Sequence, residues 1–284
     1  MKLYARNVVL DLSCPHIMGV LNATPDSFFD GGKHYNLDQA CTHVEKMINA
    51  GATMIDIGGE STRPYALAVS VDQELARVMP IIESIVQNFD IWISVDTSKP
   101  EVMREAARAG VHMINDVHAL KLPGALRVAQ EVDLPICLVH MQGQPYNMQC
   151  LPCYDNVIDD VKSFFIEHIS RCETQGIPRS RLLLDPGFGF GKSMIHNYKL
   201  LAHLADFHQF HLPLLAGLSR KSMISQLLHT NAKQCLIGSI ACAVIAAIQG
   251  VHILRVHDVR ETAEALHIVS AVRSAKDQTY HESM

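Results

Sequence analysis

The chain has no surplus of positive charge. Its 24 Lys and Arg face 29 Asp and Glu among 284 residues, a formal net charge of −5 with neutral histidines. That balance provides no broad basic surface for nucleic acid. Long hydrophobic runs are missing too. The longest, Ile237 to Ile248, is too short to span a bilayer and is rich in alanine, which reads as a buried helix. Met1 to Leu12 lacks the apolar core of a secretory leader. The expectation is a cytoplasmic protein whose partners include neither nucleic acid nor a membrane. No linker, low-complexity tract or charge block divides the sequence, so residues 1–284 are expected to form a single domain.

Signatures of a resident metal are also absent. Sixteen histidines include no H-x-x-x-H or H-E-x-x-H pair beside acidic partners. Of eight cysteines, Cys41, Cys137, Cys172, Cys235 and Cys242 fall in expected helices or strands and read as small core residues. Cys150 and Cys153 form a C-x-x-C with no second pair at zinc spacing, and read as incidental thiols.

What is present centres on residues 181–192. Leu182 to Leu184 make a short apolar run of the kind a strand buried on both faces shows. Asp185 stands at its end, and Pro186 denies the ladder an N–H. Gly187, Gly189 and Gly191 then let backbone approach a ligand closely, although a structural turn is the plainer reading of glycines alone. A carboxylate between an apolar strand and such a loop is costly to bury without a partner, which points to binding. Gly191-Lys192-Ser193 fits the end of a phosphate-cradling P-loop, but Pro186 occupies the place of its first glycine. Nor does G-x-G-x-G make the dinucleotide fingerprint G-x-G-x-x-G.

The rest of the chain alternates. A hairpin is expected from Val8 to Leu12 and the residues before it. Strands are expected at His16–Leu21, Met54–Ile57, Ile91–Val95, His112–Ile114, Pro135–Val139, Leu182–Leu184, Leu214–Leu218 and Ile253–Val256. Between and after them, helices are expected at Leu37–Ala50, Val71–Asn88, Pro100–Ala109, Gly124–Glu131, Asn156–Gln175, Asn197–Leu204, Lys233–Gln249 and Arg260–Ala275. Eight strand–helix units imply a parallel sheet and an α/β TIM (β/α)8 barrel with a short N-terminal β-hairpin; an open doubly wound sheet is the alternative.

In such a barrel the chemistry sits at the C-terminal strand ends. Polar residues fall there in nearly every unit: Asn22, Asp56, Asp96, Asn115, His140, Asp185, Ser219 with Arg220 and Lys221, and Arg255 with His257. Asp96, Asn115 and Asp185 are acceptor-rich and suit a flat heterocycle presenting N–H donors along one edge. Arg63, Lys221, Arg255 and His257 suit an anion. For Arg63 and Arg255 a structural ion pair with Glu60 or Asp258 is the competing reading. Two long loops, from Asn22 to Gly32 and from Gly58 to Pro64, are long enough to act as lids. Ser222 opens a stretch whose N–H groups suit a small carboxylate.

Seven motifs together resemble the dihydropteroate synthases. They are MGVLNATPDSF (Met18 to Phe28), MIDIGGESTRP (Met54 to Pro64), ISVDTSKPEV (Ile93 to Val102), INDV (Ile114 to Val117), LLLDPGFGFGK (Leu182 to Lys192), LSRKSMI (Leu218 to Ile224) and RVHDV (Arg255 to Val259). The resemblance implies a TIM barrel that joins 6-hydroxymethyl-7,8-dihydropterin pyrophosphate to p-aminobenzoate by a dissociative substitution, with Mg²⁺ as cofactor and a homodimer as the assembly. Carried over by position, Asp96, Asn115, Asp185, Lys221 and Arg255 would bind the pterin. Asn22, Thr62, Arg63, Arg255 and His257 would bind pyrophosphate, with Asn22 also touching the metal. Phe28, Pro64, Phe190, Lys221 and Ser222 would line the p-aminobenzoate pocket. Asp96, Asp185, Lys221, Arg255 and His257 would carry the catalysis. Ala23, Phe29, Tyr65 and His118 depart from the family's usual residues without removing a named ligand. The rival readings are a pterin-binding methyltransferase barrel and a pterin-binding protein without catalysis.

Overall fold

Strands β1 (Lys2–Ala5) and β2 (Val8–Asp11) pair antiparallel, with Leu3 opposite Leu10. Arg6 turns the hairpin in the left-handed region at φ 54°. Leu3, Ala5 and Leu10 are buried, and β1 packs on residues 179–181 at the start of a barrel strand, so the hairpin covers the N-terminal end. These details come from a computed structural model, which describes residues 1–24, 33–61, 66–144, 148 and 152–277.

Eight strands follow: β3 (His16–Asn22), β4 (Met54–Gly58), β5 (Trp92–Asp96), β6 (Met113–Asp116), β7 (Ile136–Val139), β8 (Leu182–Asp185), β9 (Leu215–Ala216) and β10 (Ile253–Val256). Every pairing among them is parallel, in the order β8-β7-β6-β5-β4-β3-β10-β9. A parallel bridge between Leu184 and Leu214 joins β8 to the start of β9 and closes the ring. Sequential order with closure excludes the open doubly wound alternative, in which the order reverses at a switch point. Buried strands rich in Ile, Leu, Val and Met fit a sheet covered on both faces.

The helices are α1 (Lys33–Asn49), α2 (Val71–Asn88), α3 (Pro100–Ala109), α4 (Ala125–Val132), α5 (Val157–Thr174), α6 (Met194–Ala202), α7 (Ser222–Leu227), α8 (Leu236–Ile248) and α9 (Val259–Asp277). Local chemistry sets several of their ends. Ser70 and Gln73 form a capping box at the start of α2. Pro100 opens α3, and Gly110 closes it at φ 115°. α6 begins earlier than the expected Asn197 because Ser193 caps it and His196 returns a bond to the cap. Two further expectations need correction. β9 has two residues rather than Leu214–Leu218, because the chain leaves the ladder after Ala216. A six-residue helix, α7, follows it and is too short for its periodicity to register in the sequence. No helix among the described residues is long and apolar enough to cross a membrane.

Candidate active site

Register lines up the rim. Asn22 on β3 lies beside Gly58 on β4, Gly58 beside Asp96 on β5, and Asp96 beside Asn115 on β6. Gly58 matters here: a Cβ there would lie 3.4 Å from the Asp96 Cβ, so its absence opens room beside that carboxylate. One layer deeper, Asp56 of β4 is fully buried next to Ser94 of β5. Among the described residues, Asp56 Oδ1, Ser94 Oγ and Asn115 Oδ1 have no hydrogen-bond partner. A buried acceptor left unmatched costs about 1–3 kcal/mol. Clustered at a barrel mouth, such acceptors suit a ligand that brings donors.

Arg255 crosses this pocket. Its Nε donates to Asp56 at 2.6 Å and a terminal NH₂ to Asp96 at 2.7 Å. Asp56 Oδ2 also accepts from Asn115 Nδ2 at 3.1 Å. Burial works against the guanidinium's charge, but Asp56 and Asp96 outweigh it and hold Arg255 above its ordinary range. Burial pushes the Asp96 carboxyl up to about 7; Arg255 pulls it down, while Asp56 and Glu74 add to the rise. The competing ion-pair reading is therefore corrected in its partners. Arg255 is paired, but with Asp56 and Asp96. Asp258 is taken by Arg220, at 2.5 and 3.0 Å. Glu60 is taken by Lys99 at 2.5 Å, which also binds Glu74 at 2.5 Å. Asp56 appeared in the polar crown without a role; its only signal in sequence was a carboxylate inside an apolar strand.

Asp185, at the end of β8, accepts the Gly187 N–H on Oδ1 at 2.7 Å. Burial raises its pKa, and that hydrogen bond and Lys221 oppose the rise. Lys221, half-buried at the start of α7, places Nζ 4.3 Å from the centre of the Phe190 ring. Burial and then Arg255 push its pKa down to about 8, against Asp185 and Asp96. Phe190 is itself buried, and Ser222 is exposed beside Lys221. On the far side, Ser219 accepts the His257 N–H and lies 3.1 Å from the ring's Nδ1. Lost hydration and then the charges of Arg255 and Arg220 hold His257 below the usual imidazole range.

The structure thus brings Asp96, Asn115, Asp185, Lys221, Arg255, Phe190 and Asp56 around one mouth, with Asn22 and His257 on its rim. Phe28, Thr62, Arg63 and Pro64, Phe29 and Tyr65 among the departures, and Cys150 lie outside the described residues. Lys192 is not a rim residue; it is buried beneath the glycine turn.

The implied Mg²⁺ meets a lean donor set. Among the described residues no group of three or more His, Cys, Asp or Glu is placed to hold a metal. Asn22 offers one amide oxygen. A single neutral oxygen fits a hard ion that keeps its waters and takes phosphate oxygens for its other ligands, rather than a metal caged by protein.

A family model described as "Pterin binding enzyme" matches residues 18–257. The dihydropteroate synthase of Escherichia coli (strain K12) is 61% identical over 282 residues, covering 99% of this chain and 100% of that protein. That of Haemophilus influenzae is 54% identical over 275 residues, covering 97% and 100%. Among solved structures, the Yersinia pestis dihydropteroate synthase with a sulfonamide drug superposes with a TM-score of 0.92 at 60% identity, covering 96% of this chain and 100% of that one. The Xanthomonas albilineans enzyme in complex with 7,8-dihydropteroate does so with a TM-score of 0.88 at 44% identity, covering 96% and 99%.

Proposed function

This chain belongs to the dihydropteroate synthase family of pterin-binding enzymes, and from that premise we propose how its residues divide the work. The reaction is the transfer of a pterin methylene from pyrophosphate to the amine of p-aminobenzoate, giving 7,8-dihydropteroate. One observation carries the assignment of roles: the pocket is lined by buried acceptors, with Asp56 Oδ1 and Asn115 Oδ1 unpartnered among the described residues, and the Arg255 guanidinium crosses it between Asp56 and Asp96. A pterin presents several N–H donors on one edge, and that edge fits Asp96, Asn115 and Asp185. The carboxylates accept in pairs, which is the strong form of this contact.

Arg255 has two carboxylates to choose between. When the pterin edge engages Asp96, the guanidinium keeps Asp56, releases Asp96 and turns its plane to the ring, with N–H groups left for pyrophosphate. Cleavage of the methylene C–O bond sends the electron pair to pyrophosphate, whose charge Arg255, Arg63, Thr62 and His257 hold in place. Mg²⁺, brought with the pyrophosphate and touched by Asn22, supplies further charge compensation when bound. The cation left on the methylene delocalises into the dihydropterin, and the carboxylates on the ring's N–H edge lower its cost. Phe190 and Lys221, with Phe28 and Pro64, hold the aryl amine so that its nitrogen lone pair forms the new C–N bond, after which the nitrogen gives up one proton to the departed pyrophosphate or to solvent. Ser222 and the first N–H groups of α7 face its carboxylate. Shielding by these side chains keeps water from capturing the cation.

The reading extends to assembly. α8 and α9 pack together, yet Ile237 is 84% exposed, Ile248 65%, Ile268 67% and Val272 64%. Apolar surface of this kind on two adjoining helices supports a homodimer formed through them. Seven described cysteines are unpaired, which supports a reducing, cytoplasmic setting.

The test of the reaction is pyrophosphate release. Purified protein is expected to release it, with 7,8-dihydropteroate formed, when the pterin pyrophosphate, p-aminobenzoate and Mg²⁺ are all present. No release from folded protein under those conditions contradicts the reading.

A further inference from the structure

We propose that Lys192 is a positioning residue for both substrates: its buried ammonium ties the glycine-rich loop to the end of β7 and fixes Asp185 and Phe190 together. The inference rests on the roles given above to those two residues and extends them.

Lys192 is 2% exposed. Its Nζ lies 2.7 Å from His140 Nδ1, 2.9 Å from the Gly187 carbonyl oxygen and 3.1 Å from that of Phe190. An ammonium has three N–H donors, and four acceptors surround it, the fourth being the His140 carbonyl oxygen at 3.3 Å. No donor is left for a phosphate, which removes the P-loop-like reading of this lysine. Burial pushes its pKa well below the ordinary lysine range and Asp185 pulls it back, but the carbonyl oxygens of His140, Gly187 and Phe190 can only accept, so the ammonium is the form this geometry fits. Burial and the charge of Lys192 also hold His140 well below the ordinary imidazole range, and in the tautomer protonated on Nε2 its Nδ1 accepts from Lys192.

The two carbonyls that Lys192 holds belong to the residues that matter. Gly187 gives its N–H to Asp185 and its carbonyl to Lys192. Phe190 gives its carbonyl to Lys192, while its ring lies under the Lys221 ammonium. One cation therefore fixes the orientation of the pterin-reading carboxylate and the wall of the aryl-amine pocket. The loop needs such a tie. Gly187, Gly189 and Gly191 all have positive φ, and glycine-rich backbone has the most entropy to lose. Neighbours complete the hold: Asn197 Oδ1 accepts the Gly189 N–H at 2.7 Å, and Tyr154 donates to the Gly191 carbonyl at 2.8 Å. His140 is itself wedged edge-on against Phe164 at 4.8 Å. A turn that only needed filling would be served by an apolar side chain, since burying an ammonium is expensive.

The experiment compares full-length wild type with Lys192→Met, His140→Leu and His140→Gln. It reads KM for both substrates, kcat, the dissociation constants of 6-hydroxymethyl-7,8-dihydropterin and p-aminobenzoate, and Tm. Lys192→Met is expected to raise both KM values by roughly tenfold to a hundredfold, since small misplacements of binding groups have costs of that order. His140→Leu should move both in the same direction by less. His140→Gln, which restores an acceptor, should recover most of the loss. Lower Tm with both KM values unchanged would mean a merely structural lysine and would overturn the proposal. If Lys192→Met does not fold, the two His140 variants decide, and equal KM values for them overturn it. A wild type that bound neither ligand would instead remove the roles of Asp185 and Phe190, and the inference with them.

Discussion

Asp96 and Lys221 are displaced in opposite directions, and their protons set a pH window. Asp96 must be a carboxylate to accept the pterin edge, and burial has pushed it up to about 7. Lys221, which the resemblance also sets on the pterin, must be an ammonium to donate to that ring, and burial has pushed it down to about 8. Pterin affinity is therefore expected to rise as pH increases through about 7 and to fall as it passes about 8, a bell with apparent pKa values that belong to the coupled set. Calorimetric titration from acid to alkaline pH checks this, and Lys221→Met should flatten the alkaline limb only. A flat profile for the wild type would contradict both assignments. At this scale Asp96, Asn115 and Asp185 were legible because each is polar at the end of an apolar run. The partner of Arg255 was not. Asp56 stands 199 positions away, whereas Asp258 stands close by, and sequence proximity favoured the wrong carboxylate. Lys192 carried a misleading signal, since its neighbours copy the end of a P-loop while its side chain is buried.

The turn after β8 works as an element in which backbone geometry and contact distance leave little choice. Gly187 has φ 71°, and a Cβ on it would lie 1.8 Å from the His140 carbonyl oxygen. Gly187→Ala must then push the loop away from β7 as well as meet a conformational cost of about 1–3 kcal/mol. The expected outcome is a lower Tm together with weaker pterin binding, because the Asp185–Gly187 bond moves with the loop. Differential scanning calorimetry alongside ligand titration reads both, and an alanine variant with wild-type values for each would show the turn to be more pliant than its contacts imply. The glycines announced a turn in the sequence, but not what it packs on. Element positions were legible to within a few residues where caps or prolines mark them, as at α2 and α3. They were poorly legible around β9 and α7, where a two-residue strand and a six-residue helix are too brief for any period to show.

For the whole molecule, the alternation of strands and helices already specified the barrel, and sequential strand order with a closing bridge between Leu184 and Leu214 completes it. The apolar outer face of α8 and α9 was not legible, because the Ile237 to Ile248 run reads as wholly buried until its helix is seen with one side exposed. Ile237→Glu is expected to convert a dimer to a monomer by sedimentation velocity, and an unaltered assembly would place the interface elsewhere. The central claim is that the barrel mouth recognises a pterin by its N–H edge through buried carboxylates. Titration of 6-hydroxymethyl-7,8-dihydropterin into wild type and Asp185→Asn tests it most directly. Loss of a charged hydrogen-bond acceptor is worth about 1.5–3 kcal/mol, so the variant should bind roughly ten- to a hundredfold more weakly with its circular dichroism and Tm little changed. Equal affinity in a folded variant would contradict the account.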